Sequence, residues 1–510
     1  MTRGRKVMGL RKQGTPVSPS GMAGPLLATI QGTCTGLRPN LCTMKTYDVL
    51  VIGGGTAGTQ AAAQAHAALG PAGGRVAMFN KGELGGLCIL RGCMPTKTML
   101  HAGHLVHEAG HHHTPGVGHG DLSIDFEAVM ANKDAKVARF KKAKLGGIER
   151  GGYEVIDAYA RFSGPDTVVT DSGEEYRFTK GAVLASGSDP IVPPIDGIEA
   201  VREAGLYWDS DDVMAMTTLP ASAIVLGGGA IGLELGLFLA RMGCRTYMVN
   251  RSRFYSKIDE ELAVEMEAIL DAEPNLTRVA PLTSLGVEAV DGRVRYRIES
   301  EGEERVLEAD VFVGATGRRA RLDDMGLEAA GVDHEGGRVR HDAAMCTTNP
   351  RIFVAGDATG SELLLHVANW EGKSAGLGAA GVLGEHAVER RLRMAVVFTD
   401  PPMATIGMTE AEAAAAGIPC VTASAKLAQT GRAITMDVQH GVWKMVAHAQ
   451  TGELLGSQLL GPRADDIVHT ISAAMFYRGT VQDLLAMPWY HPTITEVGLG
   501  LARELASKLE

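Results

Sequence analysis

Two cysteines in a glycine-rich segment have the types and spacing needed for redox chemistry. The segment GGLCILRGCMPTK (85–97) holds Cys88 and Cys93, five residues apart. On one helix they would lie about one turn apart, within disulfide reach if that turn is slightly distorted, and a thiolate near a helix N-terminus has a lowered pKa. The chain has seven cysteines, widely spread and without the pattern of a disulfide scaffold. We therefore predict a catalytic dithiol in a reducing compartment rather than two ordinary buried thiols.

Two glycine-rich turns, in the segments 47–58 and 224–232, each follow an apolar strand and precede an apolar helix. Both fit the pattern GxGxxG, in which the first glycine permits a tight turn, the second lets the backbone approach a pyrophosphate, and the third allows close helix packing. The glycines are Gly53, Gly55 and Gly58 in the first turn and Gly227, Gly229 and Gly232 in the second. One such motif is weak evidence, but two predict two dinucleotide-binding units.

Other strands that end in glycine-rich turns mark the expected domain boundaries. The segments 183–190 and 311–318 run from strands into glycine-rich turns, and the segment 351–357 ends in Gly356 and Asp357, which places a carboxylate at the ligand-binding edge of a parallel sheet. From about residue 390 the pattern changes to strands interleaved with helices. We predict an α/β protein with two Rossmann-like domains and a C-terminal α+β domain. The expected boundaries are an extension at 1–44, then domains at 45–193, 194–318, 319–389 and 390–510.

Composition excludes several classes of protein. The chain of 510 residues is 45% apolar and 21% charged, which is typical of a compact protein of about three domains. A net charge of -10 argues against nucleic acid as a partner. The best candidate for a membrane span, 224–240, contains three successive glycines and Glu234, so no span is expected.

The first 43 residues carry six basic residues and no acidic one. They fit either a mitochondrial transit peptide or a disordered tail, with Met44 beginning the folded protein. A cytoplasmic location is the simpler expectation.

These motifs together resemble the pyridine nucleotide-disulfide oxidoreductases, a family that includes dihydrolipoamide dehydrogenase, glutathione reductase and mercuric reductase. The resemblance covers residues 45–510. It implies that the first glycine fold binds FAD and the second a nicotinamide cofactor, that Cys88 attacks the substrate, and that Cys93 is a thiolate against the flavin. Lys97 would lie beside the flavin paired with Glu234, and Asp357 would hold the ribityl chain.

The C-terminal segment HPTITE contains His491 and Glu496 in the spacing of that family's acid-base dyad. The resemblance implies that this dyad serves the partner subunit of a homodimer with a shared active site. Local chemistry agrees, because thiol exchange needs a base and a carboxylate fixes the tautomer of the imidazole. The alternative is a surface histidine in a proline turn.

Beyond the six turn glycines, the resemblance places cofactor contacts at Asn80, Lys81, Gly86, Lys97, Ser186, Gly187, Asn250, Arg251, Arg253, Gly317, Gly356 and Asp357. Asn80 stands where the family usually has an acidic ribose ligand, and Leu87 replaces a usual hydroxyl residue. Arg251 and Arg253 favour a 2′-phosphate and hence NADPH. The alternatives are NADH and arginines that only solvate a loop. Arg91, between the cysteines, is expected to lower the dithiol pKa or attract an anionic disulfide.

A cluster of histidines follows the dithiol: His101, His104, His107, His111, His112, His113 and His119. Some would share a helix face at metal-binding spacing, but no cysteine or carboxylate set completes a site, so no metal is predicted.

The leading hypothesis is therefore two-electron transfer between NAD(P)H, FAD, the dithiol and an external disulfide or dithiol, most like dihydrolipoamide dehydrogenase. Three alternatives remain. The first is a reductase like glutathione or mercuric reductase, although the C-terminal LASKLE lacks the cysteine pair of mercuric reductases. The second is a flavoprotein that reduces oxygen or a quinone. The third is a metal-binding protein that uses the histidine cluster.

Overall fold

The computed structural model of the protein describes residues 44–120, 122–382 and 387–509. The extension predicted for residues 1–44 therefore lies, Met44 apart, outside the described residues. Among the helices of the described ranges, none combines the length and the apolar character needed to cross a lipid bilayer.

The first dinucleotide-binding unit is built on β1, whose residues from Val49 to Ile52 are at most 4% exposed. This strand pairs in parallel with a strand on each side, β2 and β6. The elements of this part are β1 (Lys45–Ile52), α1 (Thr56–Leu69), β2 (Val76–Phe79), α2 (Leu87–Leu90), α3 (Cys93–His111), α4 (Phe126–Glu149), β3 (Glu154–Ile156), β4 (Ala160–Gly164), β5 (Thr167–Thr170), β6 (Glu175–Leu184) and β7 (Ser188–Pro190).

The second unit repeats the strand-turn-helix arrangement at β9, in a parallel sheet of order β11-β10-β9-β15-β8. A three-stranded antiparallel sheet, β12 to β14, precedes β15, and β16 pairs with β7 where the chain leaves the unit. The elements are α5 (Ile198–Glu203), β8 (Tyr207–Trp208), α6 (Ser210–Ala215), β9 (Ser222–Leu226), α7 (Ala230–Arg241), β10 (Arg245–Val249), α8 (Glu260–Ala272), β11 (Leu276–Val279), β12 (Thr283–Val290), β13 (Arg293–Ser300), β14 (Glu303–Ala309), β15 (Val311–Gly314) and β16 (Arg318–Ala320).

The chain then returns to the first sheet. Its elements here are α9 (Leu327–Ala330), β17 (His334–Glu335), β18 (Arg338–Val339), β19 (Ile352–Val354) and α10 (Leu365–Ala379). β19 pairs in parallel with the C-terminal end of β6. α10 packs closely on α1, because a Cβ at Gly372 or Gly376 would lie 2.4 Å from the carbonyl oxygen of Ala57 or Ala61, respectively. The strand that ends in Gly356 and Asp357 thus lies beside the first glycine turn.

The C-terminal part is a five-stranded antiparallel sheet of order β20-β21-β24-β23-β22, packed against helices over a core that includes the fully buried Trp443. Its elements are β20 (Met394–Val397), β21 (Met403–Gly407), α11 (Glu410–Ala415), β22 (Cys420–Lys426), α12 (Gly431–Ile434), β23 (Val442–His448), β24 (Leu454–Leu460), α13 (Ala464–Phe476), α14 (Val481–Ala486) and α15 (Val497–Ala506). The predicted fold class, two Rossmann-like units and an α+β domain, is confirmed; the exact domain boundaries remain a prediction.

Candidate active site

The dithiol spans a break between two helices. Cys88 lies in the single turn of α2 and Cys93 is the first residue of α3, so the helical path between the two cysteines is interrupted. The chain bends at Gly92, where an added Cβ would lie 3.0 Å from the carbonyl oxygen of Leu87 and 3.2 Å from the Cα of Cys88. A side chain at this position would separate the two helices. The bend also places Cys93 at the N-terminus of α3, where the helix dipole favours a thiolate.

The two thiols have opposite acidities. The hydrogen bond from Cys88 and the Lys97 ammonium together lower the pKa of Cys93 to about 7, although burial opposes them. The same hydrogen bond, together with burial, raises the pKa of Cys88 above its ordinary value. Cys93 is therefore the more acidic thiol of the pair, and Cys88 the less acidic.

Lys97 lies one turn along α3 and binds Glu234 of α7, with its Nζ 2.9 and 2.7 Å from the two carboxylate oxygens. The Glu234 side chain is only 6% exposed. The sequence did not predict the role of Phe398, whose backbone N–H donates to Glu234 Oε1 at 3.0 Å and whose ring centroid lies 4.6 Å from Lys97 Nζ. No local motif marks this residue, because its contacts come from an element 164 residues beyond Glu234.

A cavity of about 600 Å³ joins the predicted parts of the site. It is lined by residues of the first glycine turn, the dithiol segment, α7, the end of β19 and the C-terminal sheet. They include Gly55, Cys88, Cys93, Lys97, Gly187, Glu234, Gly356, Asp357 and Phe398. Groups that lie more than 300 residues apart in the sequence thus face one space.

The first glycine turn fits a dinucleotide. A Cβ added at Gly53 would lie 2.1 Å from the carbonyl oxygen of Ala185. A Cβ added at Gly58 would lie 1.8 Å from the carbonyl oxygen of Gly53. Both glycines are therefore packed against backbone. At Gly55 the nearest atom is 3.9 Å away. α1 begins after Gly55 with no side-chain cap and no acidic residue in its first turn, so its N–H groups are available to a phosphate.

The second turn has the same geometry. A Cβ at Gly227 or Gly232 would lie 2.2 or 1.9 Å from a carbonyl oxygen, whereas one at Gly229 would meet nothing within 4 Å. α7 also begins without a side-chain cap or an acidic first turn. Both turns therefore leave the middle glycine open for a ligand.

The turn after β19 is fixed by buried polar contacts. Asp357 Oδ2 accepts a hydrogen bond of 2.5 Å from Ser188 Oγ. Glu371, a fully buried residue that the sequence did not single out, accepts from the Gly356 backbone N–H at 2.8 Å and from Arg390 at 2.5 Å. Burial raises the pKa of Glu371, and the hydrogen bond from Arg390 opposes that rise. This carboxylate sets the backbone that presents Asp357 to the cavity.

The two arginines that were predicted to determine cofactor specificity follow β10, and they differ in their ion pairs within the protein. Arg253 binds Glu260 and also lies 3.6 Å from Glu267, so its charge is already paired within the protein. Arg251 is exposed and forms no ion pair with any of the described residues. Asn250 donates to the backbone oxygens of Ser252 and Arg253 at 2.9 and 3.1 Å and thereby shapes this loop.

Several other predicted cofactor residues have contacts within the protein. Asn80 accepts from the Gly54 N–H at 3.1 Å, and Lys81 forms an ion pair of 3.3 Å with Asp171. Ser186 donates to the Arg321 carbonyl oxygen at 2.6 Å. Gly86, Gly187 and Gly317 all have positive φ angles, as the predicted turns require.

Arg91 forms an ion pair of 3.1 Å with Asp211, so part of its charge is neutralised before it can act on the dithiol. Its predicted effect on the dithiol pKa or on an anionic disulfide stays a prediction.

His491 and Glu496 form the predicted pair, with His491 Nδ1 2.9 Å from each carboxylate oxygen. The His491 side chain is 77% exposed, whereas that of Glu496 is 22% exposed. Among the described residues that line the dithiol cavity, His491 does not occur. The carboxylate orients the ring through its Nδ1.

The histidines of the cluster divide between α3, which holds His101 to His111, and the loop after it. Within the described ranges, no three histidine, cysteine, aspartate or glutamate side chains already surround a common metal position.

Comparison with known proteins defines the class. Residues 47–372 match the family model described as pyridine nucleotide-disulphide oxidoreductase, and residues 394–500 match its dimerisation domain. The chain belongs to this family. Membership implies FAD and a pyridine nucleotide as cofactors, and the dimerisation domain indicates a homodimer. The predicted resemblance is confirmed.

Individual relatives carry two different names. The chain is 31% identical to a dihydrolipoyl dehydrogenase of Geobacillus stearothermophilus over 89% of its own length and 95% of the relative. It is equally 31% identical to a mercuric reductase of Staphylococcus aureus, over 86% of its own length and 78% of the relative. Its fold resembles that of the HOCl-induced flavoprotein disulfide reductase RclA from Escherichia coli, solved as a Cu(II) complex, with a TM-score of 0.77 and 24% identity over 91% of this chain and 100% of that one.

Proposed function

We propose that the protein is an NADPH-linked disulfide oxidoreductase that exchanges electrons with a disulfide of the lipoyl type through Cys88 and Cys93. The observation that carries this proposal is the cavity that Cys88 and Cys93 share with the Lys97–Glu234 pair and the first glycine turn. The name dihydrolipoyl dehydrogenase among the relatives supports the substrate class.

The residues divide the work of thiol exchange. A base takes the proton of Cys88, and the Cys88 thiolate attacks one sulfur of the external disulfide, which forms a mixed disulfide and expels a thiolate. That thiolate takes the proton back from the base. The Cys93 thiolate then attacks the sulfur of Cys88, closes the internal disulfide and expels the second substrate sulfur as a thiolate, which takes a proton from solvent. FAD, when bound, supplies the two-electron link by which nicotinamide reduces this disulfide again.

The turnover test uses the purified holoenzyme without oxygen. NADH and NADPH are each offered with lipoamide, glutathione disulfide, a small protein disulfide and Hg(II). We expect the highest specificity constant with NADPH and lipoamide. Faster turnover with glutathione disulfide or the protein disulfide would reject the lipoyl class. Hg(II) as the best acceptor would favour the second candidate function, mercuric reductase, which the equal identity to such a relative supports.

The base is proposed to be His491 of the partner subunit, so that the homodimer has a shared active site. Cys88 has a raised pKa and therefore requires a base, whereas the chain's own His491 is 77% exposed and does not line the cavity. Loss of this base should reduce turnover by about 10²–10⁴-fold.

Mixing the two inactive variants Cys88→Ala and His491→Ala, after dissociation and reassociation of the subunits, tests the shared site. A mixed dimer regains one intact site, so about a quarter of wild-type activity should return from a random mixture. Each variant alone, taken through the same procedure, is the control. No recovery despite proven subunit exchange would show that His491 serves its own chain or is not the base.

NADPH specificity is proposed to depend on Arg251, because Arg253 is already paired with Glu260 and Glu267. A guanidinium contact to the 2′-phosphate contributes about 1.5–3 kcal/mol, which is roughly a 10- to 150-fold preference. Arg251→Gln should lose most of this preference, and Arg253→Gln, the matched control, should retain it. Equal specificity constants for NADH and NADPH in the wild type would reject the proposal.

A further inference from the structure

A second cavity, of about 410 Å³, lies at the C-terminal end of α3 and takes no part in the proposed redox route. Six histidines from α3, the loop after it and the segment before β23 line this cavity. They are His107, His111, His112, His113, His119 and His440. Imidazole is the commonest protein ligand for transition metals. This concentration of imidazoles therefore calls for a test of metal binding.

Two of these imidazoles are neighbours on one face of α3. His107 and His111 lie one helical turn apart, and their rings are stacked with centroids 4.9 Å apart and planes 18° apart. His107 Nδ1 lies 3.1 Å from Glu273 Oε1, and His111 Nδ1 lies 3.2 Å from the backbone oxygen of His107. Because both neighbours are acceptors, each Nδ1 is the hydrogen-bond donor, which leaves Nε2 as the nitrogen that can bind an ion.

This pattern is the one that metal-ligating histidines use, with the second ring nitrogen donating to a carboxylate or a backbone carbonyl. Glu273 is itself fixed, since its side chain is 2% exposed and its Oε2 lies 2.9 Å from the Arg241 guanidinium. The orientation of His107 is therefore held by a buried ion pair. His111 is exposed, and binding of an ion requires its ring to leave the stack with His107, because the lone pairs of nearly parallel rings do not converge on one position.

His112 offers a third nitrogen to the same cavity. His112 Nδ1 is buried and has no hydrogen-bond partner among the described residues. A buried polar atom without a partner is costly, and coordination of a cation would satisfy it. His112 lines the cavity beside the pair.

We propose that His107 and His111 bind a divalent transition-metal ion of the borderline class, such as Zn²⁺, Ni²⁺ or Cu²⁺, with His112 as the third ligand. The ion draws the three nitrogens together, since zinc-nitrogen bonds are about 2.0–2.1 Å and require two ligands to lie within about 4 Å of each other. Affinity should follow the general order in which Cu²⁺ exceeds Ni²⁺ and Zn²⁺.

The test is calorimetric titration of Zn²⁺ into the holoenzyme, untagged and with its dithiol oxidised so that thiolates do not compete. We expect one ion per chain. His111→Gln should reduce the association constant at least 10-fold, and His112→Gln should reduce it by a smaller factor. His101→Gln is the matched control, because His101 is an exposed histidine on the same helix that does not line this cavity, and it should bind as the wild type does. Binding should weaken as the pH falls from 7.5 to 5.5, because protons compete for the imidazole lone pairs.

Cu²⁺ provides an independent readout, since its electron paramagnetic resonance spectrum should show nitrogen hyperfine splitting that His111→Gln diminishes. Flavin absorbance and thermal unfolding of each variant establish that it is folded. Unchanged Zn²⁺ affinity in folded His111→Gln would overturn the proposal. So would an equal loss in His101→Gln, which would indicate nonspecific binding by surface histidines.

Discussion

Replacing Cys88 tests the hydrogen bond that holds Cys93 as a thiolate. Neither Cys88→Ala nor Cys88→Ser can form the internal disulfide, so Cys93 titrates freely beside bound, oxidised FAD. The serine hydroxyl still donates a hydrogen bond to Cys93, whereas alanine removes the donor. The pair of variants therefore isolates the largest cause of the lowered pKa of Cys93.

The size of the effect follows from the energy of a hydrogen bond to a charged acceptor, about 1.5–3 kcal/mol. Since one pKa unit corresponds to about 1.4 kcal/mol, alanine should raise the pKa of Cys93 by about 1–2 units from the wild-type value of about 7. At pH 7 the thiolate population should then fall from about half to between about 1% and 10%. The serine variant should titrate within a few tenths of a unit of pH 7.

The assay is the long-wavelength absorbance that a thiolate gives against oxidised flavin, recorded as a function of pH. A lower pKa means that the thiolate forms at lower pH, so the absorbance of the alanine variant should grow at higher pH than that of the serine variant. Flavin content and thermal unfolding serve as controls for both proteins. Coincident midpoints for alanine and serine would refute the assigned hydrogen bond, as would an alanine midpoint at or below pH 7.

Three further changes address the framework of the site. Burial raises the pKa of Asp400, but the hydrogen bond from His104 opposes this rise and the pKa is lowered to about 2. The ionised Asp400 therefore stabilises the folded protein above about pH 4, and this stabilisation is lost as the pH falls towards 2. Asp400→Asn should lower the free energy of unfolding by roughly 2 kcal/mol at pH 7 and by less at pH 3, as measured with denaturant; an equal loss at both pH values would contradict this. Phe398→Leu keeps the backbone hydrogen bond but removes the aromatic face from the neighbouring lysine, which should raise the midpoint of the thiolate absorbance in the Cys88→Ser protein by less than about one unit; a shift to lower pH would refute the role of the ring. Glu371→Leu leaves the Gly356 N–H without its acceptor, so the free energy of unfolding should fall by about 2–4 kcal/mol. FAD should also dissociate faster, as followed by flavin fluorescence. Unchanged retention of FAD would show that this turn does not hold the cofactor.

The sequence by itself determined the parts of the site whose geometry is local. The last glycine of the first turn follows from spacing, because a Cβ at Gly58 would collide with the carbonyl oxygen of Gly53, five residues earlier in the chain. The pairing of His491 with Glu496 is likewise local, since five residues and one turn bring a ring nitrogen to a carboxylate. The cysteine spacing predicted a dithiol for the same reason, although it did not show that Gly92 breaks the helix between them.

The tertiary structure decided what depends on contacts between distant elements. Phe398 reaches Glu234 across 164 residues, and Glu273 reaches His107 across 166, so no local pattern contains either contact. The two arginines after β10 look alike in sequence, and only the position of Glu260 and Glu267 on α8 separates the paired Arg253 from the exposed Arg251. Charge pairing, burial and the acidity of a thiol depend on which groups packing brings within a few ångströms, and packing joins sheets and helices that the sequence keeps far apart.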